Sequence, residues 1–278
     1  MSKARRTWND AAARWVRETQ HKADHAKDQA KPRWLSPHLS QRYLDEITRD
    51  LVDDIAQFKL QDSTPATVNR YLALIRAILH MARDEWEWIA RVPRIRLLHE
   101  QTKRVRWLTP KEAERLIYEL PEHLAAMARF TLATGLRQRN VSYLRWDQVD
   151  LERSMAWIHA DQAKSRKAIA VPLNTAAMQV LRSQKGRNRE WVFVYNGKPV
   201  DRTSTAAWKK ALERAGIKNF RWHDLRHTWA SWHAQAGTSL HELMELGGWS
   251  CMEMVLRYAH LAGEHLKRPA SNIEQLLK

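Results

Sequence analysis

Cysteine is almost absent from this chain. Cys251 is the single one in 278 residues, which excludes an internal disulfide framework and a cysteine-based metal site within one chain. Glycine and proline are scarce, with eight and nine copies, and that argues against low-complexity disorder. No apolar run approaches the roughly 20 residues of a membrane span. Met1 to Asp10 is basic and then polar, without the apolar core of a secretory signal. These absences predict no membrane partner and a soluble, reducing, cytoplasmic setting. Acidic residues are also in deficit. There are 31 Asp and Glu against 47 Lys and Arg, for a net charge of +16. A field of that sign attracts a polyanion, most commonly nucleic acid; an anionic membrane surface and a ribosomal partner are the alternatives.

What is present is a hydrophobic fraction of 44%, enough for a packed interior. The length suggests two domains. The fourteen tryptophans read as core or groove-wall residues.

The first part is patterned as helix. Thr7 to Asp10 resembles a capping box, and Trp8, Ala12, Trp15 and Val16 follow at helical spacing. A loop with Pro32 and Pro37 is expected next. Leu44, Ile47, Leu51, Ile55 and Phe58 then form one apolar stripe. Thr64-Pro65 caps a second, with Val68, Leu72, Ile75 and Leu79 facing inward. Residues 1–92 are thus expected to be a helical domain. Residues 93–106 read as a basic linker, and 107–278 as a second domain. That domain opens on a capping box at Thr109 to Glu112. A helix over 122–133 ends at Thr134-Gly135. A hairpin over Met155–His159 and Ala168–Leu173 is joined by the polar turn Asp161–Lys167. A strand is expected near Trp191–Tyr195, and a further capping box at Ser239 to Glu242. The fold class is mainly α with a small antiparallel β-sheet.

The chemistry-bearing residues are scattered through the second domain: Arg137, Lys164, His223, Arg226, Trp249 and Tyr258. Singly, each has an ordinary explanation in capping, solvation or packing. Together they suit phosphodiester cleavage. Tyrosine is a suitable nucleophile for a reversible break, since a phosphotyrosine keeps the bond energy. Its hydroxyl ordinarily titrates near 10 and needs a cationic site. Arg137 and Arg226 can fork onto non-bridging oxygens and replace a metal ion. His223, three residues before Arg226, falls on the same helix face and can donate to an oxygen or move the tyrosine proton. Indole can donate but not accept a proton, so Trp249 braces the phosphate or packs the site. His227 and His260, with Asp224, invite a metal reading, but no ligand spacing supports one.

Four local settings, in order, resemble the tyrosine recombinase or phage integrase family over residues 107–265. They are Ala133-Thr134-Gly135-Leu136-Arg137 running to Leu144-Arg145-Trp146; Lys164 before Ala170-Val171-Pro172-Leu173; His223-Asp224-Leu225-Arg226-His227-Thr228; and Leu246-Gly247-Gly248-Trp249-Ser250 followed by Arg257-Tyr258-Ala259-His260. The resemblance implies a helical, SAM-like core-DNA-binding domain in front of a mixed α+β catalytic domain. It also implies a C-shaped clamp on double-stranded DNA, and strand transfer through a 3′-phosphotyrosine without metal, ATP or other cofactor. Tyr258 is then the nucleophile. Lys164 is the acid for the 5′ oxygen, with Arg166 and Lys167 as competitors. Trp249 stands where the family more often has histidine. Asn69 and Arg70, in a stretch that looks like a DNA-facing helix, join Lys103, Arg104, Arg106 and Arg166 as expected DNA contacts. A homo-tetramer on paired core sites is implied, with accessory DNA-bending or directionality proteins as further partners. A C-terminal helix carrying Leu266, Ile273, Leu276 and Leu277 is expected to dock in cis or on a neighbour. Asn140 stands where the family often has an acid, and is expected to influence how Arg137 is held. The chain begins almost at the core-binding region, so a simple recombinase or a truncated longer one is expected. The alternatives are a type IB-like topoisomerase and a catalytically weak architectural DNA-binding protein.

Overall fold

The computed structural model describes residues 4–20, 29–100, 105–163, 166–261 and 271. The chain divides into two compact units, Met1–Lys103 and Arg104–Lys278. Among the described residues no helix is long and apolar enough to cross a membrane.

The first unit is helical: α1 (Trp8–Glu18), α2 (Ala30–Leu39), α3 (Arg49–Leu60) and α4 (Pro65–Asp84), with a 3-10 turn at Leu44–Glu46. Thr7 begins α1 with the expected capping box, its hydroxyl accepting from the Asp10 amide. Thr64 does the same for the amide of Thr67, and Pro65 sits where an N–H would have no partner anyway. The stretch expected to be a loop, 30–39, is instead a helix despite Pro32 and Pro37. Pro32 lies in the first turn, and Pro37 forfeits one backbone bond. Leu35 and Leu39, four apart, are fully buried on one face, and that burial outweighs the lost bond. Phe58, placed on the inward stripe by spacing, is 54% exposed and instead stacks near Trp34 and His38.

The expected linker is shorter than its composition suggests. Ile95 is buried in the helical core, and Val92 and Leu98 pack on it, while Arg91, Arg94 and Arg96 face outward. Asn69 holds this strap. Its amide donates to the Leu98 carbonyl and the Glu100 carboxylate, and its oxygen accepts from the Leu98 amide at 2.8 Å. Asn69 is therefore buried structural bracing rather than a DNA contact.

The second unit contains α5 (Pro110–Glu119), α6 (Glu122–Thr134) and α7 (Gln138–Ser142), then a three-stranded antiparallel sheet, β1 (Val149–Asp150), β2 (Met155–Ile158) and β3 (Ile169–Pro172). Next come α8 (Thr175–Gln184), the short hairpin β4 (Val194–Tyr195) and β5 (Lys198–Pro199), α9 (Ala206–Arg214), α10 (Asp224–Gln235), α11 (Leu240–Gly247) and α12 (Glu253–Leu256). The β2–β3 register pairs Ala156 with Val171 and Ile158 with Ile169, all four buried on the core side. This is the period-two burial the hairpin reading requires. Helix α10 runs beside α6 and is clasped at Leu108: its Thr228 hydroxyl accepts from the Leu108 amide, and the Trp232 indole donates to the Leu108 carbonyl. The C-terminal helix expected beyond residue 261 lies outside the described residues.

Gly135 ends α6 at φ +66°, a left-handed conformation that only glycine adopts cheaply. A Cβ there would also overlap the Trp229 ring. Gly135→Ala is expected to cost about 3 kcal/mol, combining left-handed strain with overpacking. A urea melt monitored on the second unit's tryptophans measures it; a change under half that size would show that the ring can move aside.

Candidate active site

The site is built where helix ends meet. Arg226 lies in the first turn of α10 and is buried. Its Nη1 donates to the Gly135 carbonyl and its Nη2 to the Gly247 carbonyl, both at 2.6 Å. Those carbonyls stand at the C-terminal ends of α6 and α11. A helix C-terminus carries roughly half a negative charge, so two of them offset the guanidinium without a carboxylate. The plane of Arg226 is covered by Trp249, whose ring centroid lies 4.3 Å away. Gly247 must be glycine here, because a side chain would enter that same indole.

Arg137 caps α7 and brings a second guanidinium to the site. Its Nη1 is buried with no hydrogen-bond partner. Burial depresses its affinity for the proton, and burial together with Arg137 pushes Arg226 down to about 9. Two desolvated cations near one another with an orphan donor constitute an anion site.

His223 caps α10 and lies 5.0 Å from His227, ring to ring, at nearly a right angle. Burial, then Arg226, lower its affinity for a proton. Tyr258 follows α12 and is only 1% exposed, packed with Trp229, Ala230, Ala234, Leu243 and Val255. Its hydroxyl is 2.6 Å from His227 Nδ1. Burial raises the hydroxyl to about 12, although Arg226 and Arg257 pull the other way. Burial and the neighbouring His223 hold His227 down to about 4. The tyrosine hydroxyl is therefore in hydrogen-bond contact with a neutral imidazole. Contact with the nucleophile candidate falls to His227, not to His223 as the residue spacing suggests. The signal was visible as the second histidine of His223-x-x-Arg226-His227, which the sequence weighed only as a metal ligand. Among the described residues no group of three or more His, Cys, Asp or Glu could hold a metal. Trp249 packs between Trp229 and Tyr258, with centroids near 6 Å, and fills the wall.

Asn140 does not touch Arg137. Its amide donates to the Gln162 carbonyl at 3.0 Å, and Gln148 donates to the Gln162 side chain at 2.7 Å. The pair grips the root of the β2–β3 turn. Lys164 belongs to that turn and lies outside the described residues, as do Lys103 and Arg104. Arg166 is exposed just beyond it at φ +52°. Arg70 is exposed on α4. Arg106 is not a free DNA contact: it bonds the Trp107 carbonyl and pairs with Glu112 of the α5 capping box at 3.3 Å.

His227 makes stability depend on acid. The unfolded chain's histidine titrates near 6.5, so it binds the proton first as pH falls. The stability from a neutral His227 is complete above about 6.5 and is lost progressively towards 4. Urea midpoints taken across that range should slope downward, and His227→Gln should flatten the slope; an unchanged slope would assign the acid sensitivity to other groups.

A buried tyrosine, a buried and a half-buried arginine and two histidines around an anion site suit phosphodiester strand transfer, the class of chemistry that breaks DNA on a side chain and rejoins it. The comparisons agree. The phage integrase family profile matches residues 106–265. The chain is 38% identical to the integrase of Salmonella phage P22, over 97% of this chain and 80% of that protein. It is 28% identical to the shufflon-specific DNA recombinase of Escherichia coli, over 87% of this chain and 65% of that one. In fold it is similar to the Tn1549 transposon integrase in complex with a circular intermediate DNA, at TM-score 0.78 and 18% identity, covering 94% of this chain and 99% of that one. A lambda integrase dimer bound to a COC′ core site gives TM-score 0.76 at 17% identity, covering 92% and 78%. The chain belongs to the phage integrase family: it is a tyrosine-type site-specific DNA recombinase, which cleaves and rejoins strands through a covalent intermediate.

Proposed function

We propose that this chain is the integrase of a phage, prophage or similar mobile element, and that it integrates or excises that element at a specific core site. The observation that carries the reading is the buried Tyr258 hydroxyl close to Arg226, whose guanidinium is held by two backbone carbonyls and, among the described residues, pairs with no carboxylate. The likeness over 97% of the chain to a phage integrase supports the biological role.

The cycle follows from the residues. Arg137 and Arg226 bind the non-bridging oxygens of the scissile phosphate and stabilise its added charge. Tyr258 attacks phosphorus and releases its phenolic proton to the His223 side of the site, the P–O5′ bond breaks to leave a 3′-phosphotyrosine, and Lys164 protonates the departing 5′ oxygen. His223 donates to a non-bridging oxygen or relays a proton. A 5′ hydroxyl from the partner strand then reverses the step, so no ATP is consumed. Four copies on two paired sites exchange the strands, with Arg70, Arg166 and the exposed Arg91, Arg94 and Arg96 along the DNA backbone, and accessory DNA-bending or directionality proteins set the direction. The setting is the bacterial cytoplasm, at the nucleoid.

A duplex nicked just beyond the core cleavage position tests this. The short 5′-hydroxyl fragment diffuses away after cleavage and traps the adduct, which should appear as a protein–DNA band resistant to denaturant with its 3′ end blocked. A shifted but never covalent duplex would remove the enzymatic reading.

A further inference from the structure

We infer that His227 is a positioning residue for the nucleophile: its Nδ1 takes the Tyr258 hydrogen bond and thereby fixes the attacking oxygen before DNA arrives. The inference rests on Tyr258 being the nucleophile, and it adds a residue outside the arginine, lysine, histidine and tryptophan set already assigned.

The geometry carries it. The tyrosine ring is sealed in a small apolar cluster, so its hydroxyl needs a partner inside the wall. Arg226, Arg257 and Trp249 near the tyrosine offer only donors, and the Asp224 carboxylate, whose charge also reaches the hydroxyl, is bound by the Arg221 amide and guanidinium. Those donors cannot receive the hydroxyl hydrogen. His227 Nδ1, 2.6 Å from the hydroxyl, can. Nδ1 acts as acceptor only when the ring's proton is on Nε2, which fixes the tautomer. The ring itself is held by contact with both His223 and Tyr258. Burial keeps it neutral, His223, Arg257 and Arg226 act the same way, and only Asp224 opposes them.

Holding and removing a proton are different tasks, and the magnitudes separate them. With the imidazole held to about 4 and the phenol raised to about 12, the proton stays on oxygen by a wide margin. A good general base would titrate near the working pH. His227 is therefore a fixed acceptor. A hydroxyl donates once and keeps two lone pairs. With its donor direction committed to His227, the lone pairs are left for phosphorus. The helix that supplies the hydrogen bond, α10, also carries Arg226 one residue earlier, so the nucleophile's partner and the phosphate clamp share one rigid element. A reacting oxygen registered to its clamp by a helix is a near-attack arrangement, and losing it is expected to slow cleavage about a hundredfold.

The test compares His227→Phe and His227→Asn with the wild-type chain. Single-turnover cleavage of the nicked duplex is measured at saturating DNA, with duplex affinity measured in parallel. Imidazole nitrogen NMR is recorded on the DNA-free wild type and on Tyr258→Phe. His227→Phe should cleave about a hundredfold more slowly with unchanged affinity. His227→Asn keeps an acceptor without a titratable ring. It should recover to within about tenfold of wild type, with the wild-type pH profile. NMR should show His227 protonated at Nε2, and its Nδ1 signal should move when the tyrosine hydroxyl is removed. Wild-type cleavage by His227→Phe would overturn the inference. So would an Asn variant as slow as Phe, since proton transfer rather than placement would then be at issue. An Nδ1-protonated ring, or an Nδ1 signal indifferent to Tyr258→Phe, would overturn it even if the Phe variant did not fold. An adduct mapped to a residue other than Tyr258 would overturn the nucleophile assignment itself, and this inference with it.

Discussion

Tyr258→Phe is expected to form no covalent adduct while still binding its duplex. Loss of the nucleophile removes the one atom that bonds phosphorus, and such losses cost on the order of a millionfold in rate. The substitution keeps the ring and its packing against Trp229, Leu243 and Val255. What is lost physically is one buried hydrogen bond, to His227, for about 1 kcal/mol. Affinity is carried by many phosphate contacts spread along the backbone and should not change. The checks are denaturing gels of the trapped duplex, a mobility shift on the same duplex, and a thermal melt. Adduct formation by the phenylalanine variant would place the nucleophile elsewhere. A melt lowered by much more than one hydrogen bond would show that the hydroxyl has a wider structural role.

Substituting Arg226 is expected to damage both chemistry and fold. In Arg226→Ala the phosphate loses one of two forked donors, and cleavage should fall on the order of a thousandfold or more. The Gly135 and Gly247 carbonyls lose their donor together. Each buried carbonyl left unpaired costs about 1–3 kcal/mol. Removing a desolvated cation returns part of that, since burial already holds this guanidinium near 9. A net loss of about 2 kcal/mol is the expectation. Arg226→Lys keeps the charge but has neither the planar fork nor the reach for two carbonyls and a phosphate. It should recover less than a tenth of the lost rate. Urea midpoints and single-turnover cleavage, measured on the same preparations, separate the two effects. An alanine variant as stable as wild type would mean that water takes over both carbonyls.

Much of the site was legible because its members sit in strong local contexts. Gly135 two residues before Arg137, and Gly247-Gly248 before Trp249, mark helix ends at which backbone and side chain meet. The capping boxes at Thr7, Thr109 and Ser239 fixed three helix starts through a hydroxyl and an acid three positions on. Period-two burial gave the β2–β3 hairpin. What was not legible depended on contacts distant in sequence. Asn69 reads as an exposed polar residue until Leu98 folds back over it. Asn140 reads as a neighbour of Arg137, yet its partner is Gln162, twenty-two positions away. Pro32 and Pro37 argued for a loop because the burial of Leu35 and Leu39 is a tertiary effect. His227 was passed over because a histidine beside an arginine carries no spacing signal. Its meaning comes from Tyr258, thirty-one positions on.

The double grip of Arg226 on two helix ends has an evolutionary consequence. A lineage of this enzyme that no longer needed recombination could lose Tyr258 with little harm to the folded protein. It could not discard Arg226 on the same terms, because the residue proposed to clamp the phosphate also ties α6 to α11. Decay of the reaction in such descendants should therefore proceed from the tyrosine first, leaving inactive relatives that keep the arginine as a structural fossil.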